Sequence, residues 1–187
     1  MAQPQKKTDG KIGILMVGHG EPEVFDEEVW REGLREMFEE FRETGLAVPP
    51  DDALPMILTG IKNKYDAMGG KSRHAEACRK QCELVGKQFP GCDVRLGFNE
   101  FIGPLFTDTA KEMLRDGIKT IAFIPMLQTD STHTGEVREK IEALELDKKG
   151  VRWVQSKPLF YRPEPTQFVV EEIARHVGTT PLNQVGV

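Results

Sequence analysis

Long apolar runs are missing from this 187-residue sequence. No apolar stretch reaches the roughly 20 residues that a membrane-spanning helix requires, so no membrane span is predicted. The opening segment MAQPQKKTDG has no apolar stretch after its lysines, which favours a flexible lead over residues 1–10 rather than a signal peptide. Residues 179–187 are predicted to be a flexible tail, which leaves residues 11–178 as a single domain.

Cysteine is also scarce. Three cysteines without framework spacing exclude a disulfide scaffold and favour a reducing, cytoplasmic location. Cys78 and Cys82 are spaced i, i+4 and could form a metal-binding pair. Together with Ala75 and Val85, however, they form one apolar stripe of a predicted helix, so core packing is the better interpretation.

Basic clusters and glycine-rich nucleotide motifs are absent as well. The net charge is −5, and no basic stretch contains interleaved aromatic residues, which argues against a nucleic-acid partner. The segment GKIGILMVGHGEPE has no G-x-G-x-x-G pattern, and GGKS lacks the earlier glycine of a P-loop. A nucleotide cofactor is therefore not predicted.

What the sequence does contain is an alternation of short apolar segments with amphipathic ones. Strands are predicted at KIGILMVGHG, CDVRLGFNE, KTIAFIPM and VRWVQS, with helices in the connections. The prolines and glycines of residues 45–70 predict an irregular insertion with little helix before Gly69. The alternation predicts a doubly wound α/β fold, with a mainly parallel four-stranded sheet and helices on both faces, as in flavodoxin-like proteins.

Three chemically active side chains follow three of these strands. His19 comes directly after the first strand, Glu100 after the second, and His133 eight residues after Pro125 of the third. Ligands of open parallel sheets bind outside the carboxyl ends of the strands. If the first strand lies between the second and the third, these three side chains converge at one edge of the sheet.

Two imidazoles and a carboxylate suit a divalent metal such as iron, cobalt, nickel or zinc, and the same groups can act as general bases. Each of these histidines taken alone also fits a solvated loop residue. His74 lies in the first turn of one predicted helix and His176 in the last turn of another. A cation near a helix C-terminus interacts favourably with the helix dipole, so the position of His176 needs no functional explanation.

At these positions the sequence resembles the class II tetrapyrrole chelatases, which include ferrochelatase and the sirohydrochlorin cobalt and iron chelatases. The matching segments are LMVGHGEPE, GFNEFIGP and IPMLQTDSTHTGEV. The segment AMGGKSRHAEACRKQCELV also resembles the G-G-x-S-P-L…Q segment of the ferrochelatase N-terminal half, with Arg73 and His74 replacing the usual proline and leucine. The resemblance covers about residues 11–176 and implies a chelatase-like domain.

The small sirohydrochlorin chelatases carry a histidine in an H-G-S motif, a glutamate in an F-x-E-x-x-x-P segment, and a histidine eight residues after a strand proline. His19, Glu100 and His133 match these three positions, although Glu21 stands where the serine would be. The resemblance implies that the two histidines hold a metal or accept protons, and that Glu100 completes the metal shell or relays protons.

The activity that this resemblance implies is insertion of Fe²⁺, Co²⁺ or Ni²⁺ into a metal-free tetrapyrrole, with the metal as substrate and no tightly bound cofactor. Ferrochelatases usually contain two such halves in one chain, whereas the short chelatases pair two identical subunits, which implies a homodimer here. The GGKS segment favours a porphyrin substrate, while the three site residues favour sirohydrochlorin.

Tetrapyrroles carry carboxylates, which require local cations. The candidates are Lys62, Lys64, Lys71, Arg73 and Arg138, although each also fits an ordinary surface charge. Two other functions stay open. A non-enzymatic haem or tetrapyrrole binder would use the same residues, and a histidine phosphatase would need an arginine before its histidine, where this chain has glycine.

Overall fold

The computed structural model describes residues 11–43, 45–127 and 131–177. Its sheet contains β1 (Ile12–Gly18), β2 (Cys92–Phe98), β3 (Thr120–Pro125) and β4 (Arg152–Gln155) in the order β2-β1-β3-β4. All three strand pairings are parallel. The predicted sheet is therefore confirmed, including the placement of the first strand between the second and the third.

Within the described residues, six α-helices connect and follow the strands. They are α1 (Glu27–Glu43), α2 (Leu54–Ala67), α3 (His74–Gln88), α4 (Phe106–Arg115), α5 (Thr132–Ala143) and α6 (Pro163–Val177). Short 3₁₀ turns lie at Asp51–Ala53, Asp147–Lys149 and Leu159–Tyr161. The predicted alternation of strands and helices is confirmed, and α1, α2 and α3 lie between β1 and β2.

Helix α2 lies within residues 45–70, so the prediction of an irregular insertion with little helix there was wrong. Pro55 lies in the first turn of α2, where its missing N–H needs no partner, so it starts the helix instead of breaking it. Gly60 lowers helix propensity by only about 1 kcal/mol relative to alanine. Burial of Leu58 and Tyr65 outweighs that cost, because most helix stability in proteins comes from tertiary packing.

Helices cover both faces of the sheet because successive residues of the buried strands point to opposite sides. Leu15 and Val17 of β1 belong to a core that also contains Phe106 of α4 and Ile141 of α5. On the opposite face, α3 buries its Ala75–Cys78 stripe against Phe98 of β2. The interpretation of Cys78 as a core residue is therefore confirmed, since its side chain is buried there.

Helices α1 and α2 pack against each other and form a smaller, separate core. Its buried residues are Leu34, Phe38, Leu54 and Leu58. Two contacts join this pair to the loops that follow the strands. The Tyr65 hydroxyl donates a hydrogen bond to the Pro22 carbonyl at 2.6 Å, and the Trp30 ring lies 5.1 Å from that of Phe101. The pair thus forms a wall beside the carboxyl edge of the sheet.

The predicted flexible lead over residues 1–10 and the predicted tail over residues 179–187 lie outside the described residues. Within the part of the chain that the structure describes, no helix has both the length and the apolar character needed to cross a membrane.

A Gly97→Ala substitution tests the packing of β2 against α4. An alanine Cβ at this position would lie 2.8 Å from the backbone nitrogen of Phe106, and backbone cannot rotate away as a side chain can. We expect the variant to lower the free energy of unfolding by about 1–3 kcal/mol, measured by urea denaturation.

The matched control is Gly60→Ala in α2, where a Cβ would meet no atom within 4 Å. This variant should raise stability by up to about 1 kcal/mol, because alanine favours the helix more than glycine does. Equal stability of the Gly97→Ala variant and the unmodified protein would contradict the described packing.

Candidate metal centre

His19, Glu100 and His133 meet at the carboxyl edge of the sheet. The Nε2 atom of His19 lies 2.9 Å from Oε1 of Glu100 and 3.3 Å from Nε2 of His133. One potential ligand atom from each residue lies within 4.8 Å of the others, and the side chains are 30–33% exposed. The structure thus brings together the three residues predicted as ligands, while their roles stay predictions.

Backbone hydrogen bonds past the strand ends hold the first two residues side by side. The Asn99 N–H donates to the Gly18 carbonyl at 2.8 Å, and the Glu100 N–H donates to the His19 carbonyl at 3.0 Å. Gly20 has a φ of 101°, and a Cβ there would lie 2.9 Å from the Glu100 carbonyl carbon. Glycine is therefore required where this loop turns away from β1.

His133 reaches the same place from the first turn of α5. The helix begins at Thr132, and the backbone N–H of Ser131 donates a hydrogen bond to the Thr134 hydroxyl at 3.3 Å. Because β3 is paired with β1, the helix that follows β3 starts near His19. Residues 128–130, between β3 and this helix, lie outside the described residues.

The hydrogen bonds of His19 determine which of its nitrogens carries a proton. Its Nδ1 lies 2.6 Å from the Gly20 carbonyl oxygen, which can only accept, so Nδ1 donates. In the neutral ring, the Nε2 lone pair then faces a Glu100 oxygen. Hydrogen bonding to Glu100 raises the pKa of His19, and burial opposes this rise. The arrangement favours a cation between these atoms, either a proton or a metal ion.

Glu136 lies on the other side of His133 and is held there by Asn99 and Lys140. Oε2 of Glu136 lies 3.5 Å from His133 Nδ1 and accepts a hydrogen bond from the Asn99 amide at 3.0 Å, while Lys140 forms an ion pair with Oε1. Burial raises the pKa of Glu136, but hydrogen bonds from His133, Lys140 and Asn99 outweigh it and lower that pKa to about 2.

From the sequence alone, no role was assigned to Asn99, Glu136 or Lys140. A signal was available for two of them. Glu136 and Lys140 follow His133 at spacings of three and seven residues, which places all three on one face of a helix. For Asn99, the only sequence signal was its position directly before Glu100.

A cavity of about 260 Å³ lies between the three predicted ligands and α1. One wall is largely apolar and aromatic. Phe101, at a φ of 61°, lies against Gly33 of α1, and its ring centroid is 5.1 Å from Trp30 and 6.1 Å from His19. Glu36, Glu100 and Glu136 supply the acidic groups, and the described residues lining the cavity include no lysine or arginine. The cavity therefore suits a cation better than an anion.

The five predicted substrate-binding cations lie outside this cavity lining. Lys64 and Lys71 pair with acids of the loop after His19, namely Glu21 at 3.7 Å and Glu23 at 3.1 Å. The other three lie elsewhere: Lys62 pairs with Asp66, Arg138 pairs with Glu142 and lies over Trp153, and Arg73 is exposed just before α3. The structure thus brings only Lys64 and Lys71 close to the loop that carries His19.

Titration with Co²⁺ alone tests the metal centre. We expect His19→Ala and His133→Ala each to weaken binding by at least about 10-fold, whereas His74→Ala, outside the cluster, should bind like the unmodified protein. Calorimetry and the visible absorbance of Co²⁺ provide the measurements. If His74→Ala impaired binding as much as His133→Ala, this assignment would be wrong.

The same titration should depend on pH. A raised pKa means that His19 keeps its proton to a higher pH than an ordinary histidine, and this proton competes with the metal. Affinity should therefore be full at alkaline pH and decrease as the pH is lowered through the His19 pKa. This decrease should begin above the ordinary histidine value of about 6.5. An affinity that does not change between pH 8 and pH 6 would contradict the role of His19.

Comparison with known proteins identifies the family. The CbiX family profile matches residues 70–176, a range that contains Glu100 and His133 and ends at the carboxyl side of α6. His19 lies outside the matched range, so its place in the site rests on the geometry.

Two curated relatives are coproporphyrin III ferrochelatases. The protein from Oceanobacillus iheyensis is 29% identical over 114 residues, covering 58% of this chain and 33% of the relative. The protein from Bacillus subtilis strain 168 is 23% identical over 182 residues, covering 93% of this chain and 54% of the relative. The chain therefore spans between a third and about half of the length of these curated relatives.

A solved structure supports the fold. A protein from Marinobacter aquaeolei VT8, described as a cobalamin (vitamin B12) biosynthesis CbiX protein, superposes with a TM-score of 0.53 at 12% identity, covering 89% of this chain and 94% of that one. At this identity the likeness concerns the fold alone. The family match covers more than half of the sequence, and on that ground the chain belongs to the CbiX family.

Proposed function

We propose that this protein is a metal chelatase that inserts Fe²⁺ or Co²⁺ into a metal-free tetrapyrrole, in haem, sirohaem or cobalamin biosynthesis. The observation that carries the proposal is the meeting of His19, Glu100 and His133 beside a cavity whose described lining includes no lysine or arginine. Membership of the CbiX family and the similarity to coproporphyrin III ferrochelatases support it.

The metal is a substrate in this proposal, and the three side chains receive it. Imidazole and carboxylate ligands together accept iron, cobalt and nickel in their divalent forms, so Ni²⁺ fits the same ligands. Carboxylates lining the cavity, including Glu36 of α1, favour entry of a dication over entry of an anion. The ligands must then release the metal to the macrocycle, which a half-exposed site with three protein ligands permits.

Insertion of a divalent metal also displaces two protons from the pyrrole nitrogens of the tetrapyrrole. As the metal leaves His19 and His133, their lone pairs become free, so each ring can accept one proton. The contact between His19 and Glu100 at 2.9 Å favours the protonated ring, which raises the basicity of this acceptor. Two protons are thus matched by two imidazoles, and the net charge of the centre changes little during the exchange.

A whole macrocycle needs more room than the cavity provides. Its volume of about 260 Å³ lies below the roughly 300–1,000 Å³ of typical small-molecule pockets. We infer that the reacting nitrogens face the histidines while the rest of the ring extends over the rim. Carboxylates of the ring would then replace Glu21 and Glu23 as the partners of Lys64 and Lys71.

We also propose that the protein forms a homodimer and works in the cytoplasm. Since the chain spans about half of the Bacillus subtilis relative, a second copy in a homodimer would supply a unit of similar size. Cys78, Cys82 and Cys92 are free thiols, which fits a reducing compartment such as the cytoplasm.

An anaerobic insertion assay tests the function. Fe²⁺ or Co²⁺ is mixed with sirohydrochlorin, coproporphyrin or protoporphyrin, and the absorbance change of metal insertion is followed. We expect at least one pair to react faster than without protein. His133→Ala should lower that rate by about 10²–10⁴-fold, since it removes both a metal ligand and a proton acceptor.

Glu139→Gln provides the matched control, because this exposed glutamate lies on the same helix outside the cavity lining. It should keep the rate of the unmodified protein. No insertion above the uncatalysed rate with any pair would refute the chelatase. If metallated haem then bound tightly without any insertion, the alternative of a non-enzymatic tetrapyrrole binder would be favoured.

A further inference from the structure

We propose that Glu136 is a positioning residue of this site, which holds the His133 ring so that Nδ1 keeps its hydrogen and Nε2 is offered to the metal. The inference rests on the proposed metal centre and adds a residue that neither the sequence nor the comparisons assign. It concerns the orientation of a ligand, so metal binding alone can test it.

The two nitrogens of His133 have different nearest neighbours, although Nδ1 also lies 3.9 Å from Oε1 of Glu100. Nε2 lies 3.3 Å from Nε2 of His19, on the side where the metal would bind, and Nδ1 lies 3.5 Å from Oε2 of Glu136. A neutral imidazole has one N–H, and a carboxylate beside Nδ1 attracts that hydrogen there. The tautomer with a free Nε2 lone pair is thereby favoured, and this is the form that a metal ligand requires.

Glu136 is itself held by groups that the metal site does not use. The Asn99 amide donates to Oε2 at 3.0 Å, and Lys140 pairs with Oε1. Lys140 also donates to the backbone and side-chain oxygens of Asn99, at 3.3 and 3.2 Å. These three residues form a closed triangle, so the carboxylate cannot turn away from His133 without breaking several charge-assisted hydrogen bonds.

The triangle also connects the two sides of the metal centre. Asn99 is only 5% exposed and immediately precedes Glu100, while Glu136 and Lys140 belong to the helix that carries His133. The same contacts therefore set the position of Glu100 relative to His133. Because Asn99 and Lys140 already engage both oxygens of Glu136, this carboxylate suits an outer role better than direct coordination.

Carboxylates that accept the second N–H of a metal-bound histidine orient the ring and raise its basicity, and their loss typically costs 10–100-fold in metal affinity. We therefore expect Glu136→Gln to weaken Co²⁺ binding by about 10–100-fold relative to the unmodified protein. Glutamine keeps the size of the side chain and removes its charge. The affinity is measured by calorimetry with the full chain and no tetrapyrrole.

Two further variants make the result specific. Glu139→Gln removes a charge from an exposed position on the same helix and should leave the affinity unchanged. Glu136→Gln leaves Lys140 without its carboxylate, which could disturb the fold. The double variant Glu136→Gln, Lys140→Gln removes both charges and should show the same loss of affinity, with a thermal midpoint that confirms folding.

The visible spectrum of Co²⁺ at saturation separates a positioning role from direct coordination. If Glu136 acts through His133, the saturated spectrum of the Glu136→Gln variant should match that of the unmodified protein, because the ligands are the same. A different saturated spectrum would overturn the proposal by making Glu136 a ligand. Unchanged affinity in both variants would overturn it as well.

If the protein is a chelatase, insertion kinetics provide a second test of Glu136. In an insertion assay, Glu136→Gln should raise the KM for the metal and leave the KM for the tetrapyrrole unchanged. An equal rise in both would contradict a role confined to His133. If no metal and tetrapyrrole pair reacts with the unmodified protein, the chelatase proposal fails, while the Co²⁺ titration still decides the role of Glu136.

Discussion

The parallel pairing of β1 with both β2 and β3 is the constraint on which the site depends. Neighbouring strands lie about 4.8 Å apart, so the ends of β2 and β3 are separated by about twice that distance, with the end of β1 between them. His19 occupies this middle position and is approached from both sides, by Glu100 and by His133. A strand order that did not place β1 between β2 and β3 would move either Glu100 or His133 away from His19.

The charges and lone pairs around His19 explain why this site favours a cation. His19 donates from Nδ1 to a carbonyl, so its other nitrogen must share space with a carboxylate oxygen and a second imidazole. Burying several lone pairs together is unfavourable without a cation. The proton that His19 retains because its pKa is raised and the divalent metal both meet this requirement, and a chelatase would alternate between them.

Local patterns were sufficient to predict the strands, their alternation with helices and the three residues of the centre. They were not sufficient for α2, because Pro55 and Gly60 were counted as breakers although one starts the helix and the other costs little. Local patterns also could not predict the aromatic wall of the cavity. Contact of Trp30 with Phe101 joins residues 71 positions apart, and no local pattern indicated the positive φ of Phe101.

Two departures from the resembled motifs, Glu21 and His74, lie near each other in space. Glu21 replaces the serine of the H-G-S motif, and its carboxylate lies 3.7 Å from Lys64 of α2. His74 interacts electrostatically with both residues, while burial lowers its pKa. These residues lie on the α2 and α3 side of His19, whereas His133 and Glu136 approach from α5. In the proposed chelatase, metal handling and recognition of the tetrapyrrole would be supplied by separate elements on opposite sides of His19, so the two could vary independently.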